Sequence, residues 1–78
     1  MPQTPLRADG ENPTPIQLEF AEDLAKRGYR AQEPISGWPP ESICMAKKRK
    51  IDGWTHWEVM RIDEMQVSYL GRWERLPQ

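Results

Sequence analysis

A histidine and a glutamate stand two residues apart in the C-terminal half of the chain, and side chains of these types can perform acid–base chemistry. His56 is the single histidine, and Glu58 follows at the spacing that places alternate side chains on one face of a strand. Such pairs are more often surface contacts, and a domain this small rarely encloses a substrate pocket of roughly 300 Å³ or more. We therefore expect no enzymatic activity and no catalytic residue.

The single cysteine, Cys44, favours neither metal binding nor nucleophilic chemistry. It lies among apolar neighbours, where burial raises the pKa of a thiol and makes it unreactive. One cysteine and one histidine provide no spacing of zinc ligands, and no internal disulfide can form. We expect no metal, no cofactor and a reducing, cytoplasmic setting.

A run of four cations precedes a tryptophan and is the candidate for nucleic-acid contact. Lys47, Lys48, Arg49 and Lys50 stand just before Trp54, and a basic ribbon with aromatic rings can contact phosphates and stack on bases. Alternate residues of a strand point to opposite faces, so about half of the run can form one patch. The net charge of the chain is −1. Nucleic-acid binding is therefore the alternative to a solvated hairpin arm.

The chain divides into a short tail and one small domain. Residues 1–13 contain three prolines and few apolar side chains, so we expect them to be disordered, and we expect residues 14–76 to fold as a single domain. The domain opens with a capping box of Thr14 and Gln17, and Gly28 is a natural helix terminator. The predicted apolar stripe of the helix consists of Ile16, Phe20, Ala21 and Leu24.

Beyond the helix, the apolar pattern changes to the alternation that is typical of strands. Asp52 and Gly53 form a strong hairpin-turn signal, and two adjacent prolines exclude regular structure from residues 35–41. The sequence therefore predicts an α+β domain, in which one N-terminal amphipathic helix packs on a small antiparallel meander of three to four strands. The predicted strands are residues 29–33, 42–48, 54–62 and 66–73.

The register of the last hairpin decides which tryptophans are buried. A three-residue loop, residues 63–65, places Trp57 opposite Gly71, whereas a loop of two or four residues brings His56 and Glu58 to the helix-covered face. We prefer the first register because it buries no charge, and we expect the other face of the sheet to be open. The expected core residues are Trp57, Val59, Val67, Tyr69 and Trp73.

The open face is the expected binding surface. Trp54 and Met60 would be exposed there beside His56 and Glu58, with Trp38 at the rim. Tryptophan and methionine are enriched at the centres of protein interfaces. Alternatively, the loop that bears Trp38 folds back and closes a minor second core. We expect a small non-catalytic protein-binding module, a regulator or inhibitor that occupies a surface of a larger protein or complex, in the manner of phage or mobile-element accessory proteins.

The chain carries no sequence signal of membrane insertion or export. No apolar run is long enough to cross a bilayer, and the N-terminus lacks the layout of a signal peptide. We therefore expect a soluble cytoplasmic protein that does not act at a membrane.

Overall fold

The computed structural model describes residues 5–76, which form one helix and a four-stranded antiparallel sheet. Each strand pairs with the next strand along the chain, so the sheet is a meander. The predicted α+β fold is therefore confirmed. The elements are α1 (Pro15–Lys26), β1 (Arg30–Gln32), β2 (Ile43–Ile51), β3 (Trp54–Ile62) and β4 (Val67–Trp73).

Local hydrogen bonds fix both ends of α1. At its start, the Gln17 amide donates to the Thr14 hydroxyl at 3.2 Å, and the Thr14 amide donates to the Gln17 side chain at 3.1 Å. This is the predicted capping box. At its end, Gly28 has φ of +99°, and its amide and the next one donate back to carbonyls of the last turn. Glycine favours this left-handed ending because it has no Cβ to clash.

The buried face of α1 is rotated from the predicted stripe. Ile16 is 43% exposed, whereas Gln17 is fully buried. The Gln17 side-chain amide donates to the Glu41 carbonyl at 2.6 Å and lies 3.5 Å from the Asp63 carbonyl. A polar side chain tolerates burial when its hydrogen bonds are satisfied, so Gln17 can occupy the buried position. The predicted burial of Ile16 is therefore wrong. The buried residues of α1 are Gln17, Ala21 and Leu24.

The sheet has apolar packing on both faces. α1 covers one face, where Leu24 belongs to a buried cluster with Ile43 and Ile62. The segment between β1 and β2 covers part of the opposite face, where Trp38 packs on a second cluster. The expectation of an open second face is therefore wrong: the loop that carries Trp38 closes a second core over Val59 and Trp57. The predicted faces of β3 are exchanged, because Met60 and the residues that alternate with it, Trp54, His56 and Glu58, lie on the α1 face. The second cluster contains Cys44, Ala46 and Val59, with Ile35, Trp57, Leu70, Trp73 and Leu76 packed against it.

The pairing of β3 with β4 differs from the predicted register. Ile62 pairs with Val67 across a four-residue turn, so the predicted three-residue turn is wrong. Further from the turn, Trp57 pairs with Trp73 and not, as predicted, with Gly71. The two pairings together require an irregularity in β4.

That irregularity is a β-bulge. Met60 pairs with Tyr69, whereas the preceding residue, Val59, pairs with Gly71. Leu70 is therefore an extra residue in β4, and Gly71 beside it has φ of +98°. An extra residue reverses the alternation of side chains along a strand. Tyr69 consequently lies on the α1 face and Trp73 on the opposite face, so the predicted single core face is split between the two.

Part of the predicted disordered tail is hydrogen-bonded to the loop before β2. The amides of Ala8 and Asp9 donate to carbonyls of that loop, each at 2.8 Å. The Arg7 guanidinium lies 2.7 Å from the Asp9 carboxylate, and its hydrogen bond lowers the pKa of Asp9. Residues 1–4 of the predicted tail lie outside the described residues.

Candidate interaction surface

β2 and β3 extend beyond the rest of the sheet as a two-stranded ribbon, residues 47–56. β1 pairs with β2 only as far as Ala46, and β4 pairs with β3 only as far as Trp57. Asp52 and Gly53 connect the two strands with φ values of +51° and +83°. Positive φ at both central residues characterises the type I′ turn, whose twist matches that of the flanking strands. The predicted hairpin turn is therefore confirmed.

The ribbon face on the α1 side of the sheet carries the candidate surface. Trp54, His56 and Glu58 alternate along β3 and so share this face, and Arg49 and Tyr69 join them from the neighbouring strands. Trp54 is 79% exposed and Tyr69 is 53% exposed. We name these five residues the aromatic patch.

Glu58 is the polar centre of the aromatic patch. Its side chain is only 14% exposed, and its Oε2 lies 3.2 Å from Arg49 Nη1. The Tyr69 hydroxyl donates to Oε1 at 3.4 Å. Burial raises the pKa of the nearby Tyr29 hydroxyl, and the Glu58 carboxylate raises it further. The charge of Glu58 is thus compensated by a cation and a hydroxyl, which explains how the α1 face accommodates it.

His56 is half-buried between Trp54 and Glu58 along β3. Its Nε2 atom is buried and has no hydrogen-bond partner among residues 5–76. Glu58 directs its oxygens to Arg49 and Tyr69 instead. The two residues therefore lack the mutual contact that acid–base partners use. A buried polar atom without a hydrogen-bond partner lowers the stability of the fold.

The other two predicted contact residues lie apart from the aromatic patch. Met60 is on the same face but packs against the buried cluster under α1. Trp38 is on the opposite face, with the Arg61 guanidinium 5.9 Å from its ring centre. The predicted rim position of Trp38 is therefore wrong, because its loop closes the second core. Of the five predicted contact residues, the structure brings together Trp54, His56 and Glu58.

The four consecutive cations divide between the two faces of the ribbon. Lys47 and Arg49 lie on the face of the aromatic patch, and Lys48 and Lys50 lie on the opposite face. The ammonium groups of Lys47 and Lys48 each lie 5.9 Å from the centre of an aromatic ring of the chain. Arg49 is paired with the patch carboxylate. The run consequently does not form one continuous basic surface.

Tyr69 is the patch residue that sequence reasoning missed. The alternation of β4 predicted it to be core, but the four-residue turn pairs Ile62 with Val67 and so places Tyr69 on the same face as Glu58. Gly71 signals the bulge that sends Trp73 to the opposite face, because a glycine inside a strand pattern often marks a bulge. Arg49 was assigned to the basic run, and its pairing with Glu58 has no signature in the local sequence.

Cys44 lies in the second core, away from the aromatic patch. Burial raises the pKa of its thiol to about 11, in agreement with an unreactive side chain. The described residues contain no group of three acidic, histidine or cysteine side chains that could hold a metal ion. Within residues 5–76, no helix has the length and apolar character of a membrane span.

Comparisons of the chain with protein-family models, with curated proteins and with solved structures find no match.

Proposed function

We propose that the protein is a small non-catalytic protein-binding module, a regulator or inhibitor that occupies a surface of a larger partner through the aromatic patch. The observation that carries the proposal is the 79% exposure of Trp54 near the end of the ribbon. A tryptophan can bury roughly 150 to 250 Å², and Trp54 leaves most of its surface in solvent. A partner that covers it would gain this burial.

The composition of the aromatic patch supports the proposal. Tryptophan, tyrosine and arginine are the residue types that dominate binding energy at protein interfaces, and the patch holds one of each. The type I′ turn and the strand pairing position Trp54 before binding, so little conformational entropy is lost when a partner docks.

A nucleic-acid partner is the alternative that the ribbon itself suggests. An exposed tryptophan on a basic two-stranded ribbon can stack on a base. However, Arg49 is already paired with Glu58, and the cations of the run are divided between two faces, so no continuous row of free cations is available to phosphates. A protein surface can complement charges of both signs, and for this reason we favour it.

Capture of the partner with matched variants tests the proposal. The tagged protein is used to retrieve binding proteins from a lysate of its source cells, and the purified partner is then titrated with each variant. Trp54→Ala should weaken binding at least about ten-fold, the loss expected of an interface hot spot. Leu18→Ala removes a 40% exposed apolar side chain from α1 and should leave binding unchanged. Both variants should keep the wild-type thermal midpoint.

Two results would contradict the proposal. Equal binding of the partner by wild type and Trp54→Ala would remove the aromatic patch from the interface. A large drop in the thermal midpoint of Trp54→Ala would show that this side chain belongs to the core. Tight binding of a fluorescent oligonucleotide at about 50 mM salt, lost steeply as salt rises, would favour the nucleic-acid alternative.

A further inference from the structure

We infer that the partner surface is acidic around the site that receives Trp54; this inference rests on the proposed function and names the chemistry of its partner. Residues 47–56 contain four cations and one carboxylate, a net charge of +3. The net charge of the whole chain is −1, so the remaining residues together carry −4. Positive charge is therefore concentrated at the end of the molecule that presents Trp54.

Two exposed cations, one on each face of the sheet, lie on the strands that pair with the patch strand β3, and neither has an ion pair of its own. Lys50 lies on β2 next to Ile51, the residue that pairs with Trp54, and its side chain is on the face of the ribbon opposite the patch. Arg72 lies on β4 opposite Glu58 and therefore on the patch face. Neither forms an ion pair with any residue that the structure describes. Exposed cations around an apolar centre fit the polar rim of an interface, where carboxylates of a partner would face them.

The charges of the patch favour an acidic protein over nucleic acid. A nucleic-acid backbone is uniformly negative and binds best to a continuous row of free cations, whereas Arg49 is paired with Glu58 and Lys50 and Arg72 lie on different faces. A protein groove that receives the end of the ribbon can place carboxylates opposite Lys50 on one face and Arg72 on the other, and a neutral apolar pocket over Trp54. All these requirements are met by one surface with an apolar centre and an acidic rim.

Rim charges act mainly by raising the rate of association, and salt screens them. The Debye length is about 30 Å at 0.01 M salt and about 8 Å at 0.15 M. The attraction of the ribbon for an acidic partner should therefore be strong at the lower salt concentration and reduced at the higher one. The free energy gained by burying Trp54 should depend much less on salt. The salt dependence of binding therefore separates the electrostatic contribution from the apolar one.

Three labelled probes test the inference by fluorescence polarisation with the full-length protein. The first is a glutamate-rich peptide that contains leucine and phenylalanine, the second has lysine at each glutamate position, and the third is an oligothymidylate with the same charge as the first. Lys50→Glu and Arg72→Glu reverse the two rim cations. Lys26→Glu makes the same change of net charge on the exposed face of α1 and is the matched control.

The glutamate-rich peptide should bind at least about ten-fold more tightly than either other probe at low salt, and this preference should shrink at about 0.15 M. Lys50→Glu and Arg72→Glu should each weaken its binding about three-fold or more, while Lys26→Glu should change it less than about two-fold. Equal affinity for the two peptides would overturn the inference. Tighter binding of oligothymidylate than of the glutamate-rich peptide would overturn it in favour of nucleic acid.

The failure of this inference can be told apart from failure of the proposed function. If Trp54→Ala weakens binding of the captured partner but the glutamate-rich peptide is not preferred, only the acidic character of the partner is refuted. If Trp54→Ala leaves that binding unchanged, the proposed function is refuted, whatever the probes show.

Discussion

At the scale of single residues, Gln17 joins three parts of the chain. It closes the capping box with Thr14, donates to the carbonyl of Glu41 at 2.6 Å and lies 3.5 Å from the carbonyl of Asp63. A buried carbonyl that loses its donor costs more than an exposed one, because no water replaces the bond. The side chain therefore links the start of α1 to the loops that precede β2 and β4.

Replacement of Gln17 by glutamate separates its two roles. The carboxylate can still accept from the Thr14 amide, but it cannot donate to Glu41 and it brings negative charge against two carbonyls. We expect Gln17→Glu to lower the free energy of unfolding by about 2 to 4 kcal/mol. Thr14→Ala, which removes only the cap, should cost about 1 kcal/mol. Urea denaturation near neutral pH measures both, and equal losses would show that the bond to Glu41 contributes nothing.

Cys44 predicts how stability depends on alkaline pH. Burial raises the pKa of its thiol from 9.0 to about 11, so the folded chain keeps the proton at pH values where the unfolded chain loses it. The stability from this group is complete below about pH 9 and is lost as the pH rises towards 11. Urea denaturation across this range should therefore show a steeper fall for wild type than for Cys44→Ala. Parallel curves would contradict the prediction.

At the scale of elements, the bulge in β4 decides which side chains reach the aromatic patch. Before Leu70, the strand turns Tyr69 towards Glu58; after it, the strand turns Trp73 to the second core. Gly71 permits this change because its φ is +98°, a conformation that L side chains rarely adopt. One glycine thus determines the composition of both faces.

Substitution of Gly71 tests this role. A Cβ at this position would have no atom within 4 Å, so the cost of Gly71→Ala comes from the backbone alone. We expect L-alanine to lower the free energy of unfolding by about 1 to 2 kcal/mol. A synthetic chain with D-alanine at residue 71 should be at least as stable as wild type, because D-residues favour positive φ. Equal stability of the two alanine chains, measured by urea denaturation, would show that the left-handed conformation is not required.

At the scale of the whole molecule, segments from different parts of the chain pack on the two faces of the sheet and stabilise it. α1 packs on one face, and the loop that carries Trp38 packs on the other. The segment around Ala8 and Asp9 holds that loop through two backbone hydrogen bonds. The ribbon lies beyond these coverings, so changes near the N-terminus should affect stability but not the aromatic patch.

Deletion of residues 1–9 tests the contribution of that segment. Loss of two backbone hydrogen bonds should lower the free energy of unfolding by about 1 to 2 kcal/mol. Binding of the captured partner by the folded protein should stay unchanged. Thermal and urea denaturation measure the first effect and titration the second. A deletion without any change in stability would support the sequence prediction of a disordered tail.

The sequence by itself determined the elements whose signals are local. The capping box at Thr14, the helix end at Gly28 and the turn at Asp52 and Gly53 each depend on residues at most a few positions apart. The shared face of Trp54, His56 and Glu58 also follows from alternation along one strand. These features could be predicted because the physical interactions that create them lie within one element or turn.

Only the tertiary structure decided which face each element covers. The burial of Gln17 depends on carbonyls 24 and 46 residues away in the chain. The position of Tyr69 depends on the register in which β4 pairs with β3, the position of Trp73 depends on the bulge, and the pairing of Arg49 with Glu58 spans two strands. In each case, the free energy of burying a side chain is balanced against hydrogen bonds or ion pairs with residues far away in the chain. A local sequence pattern carries no information about those distant residues.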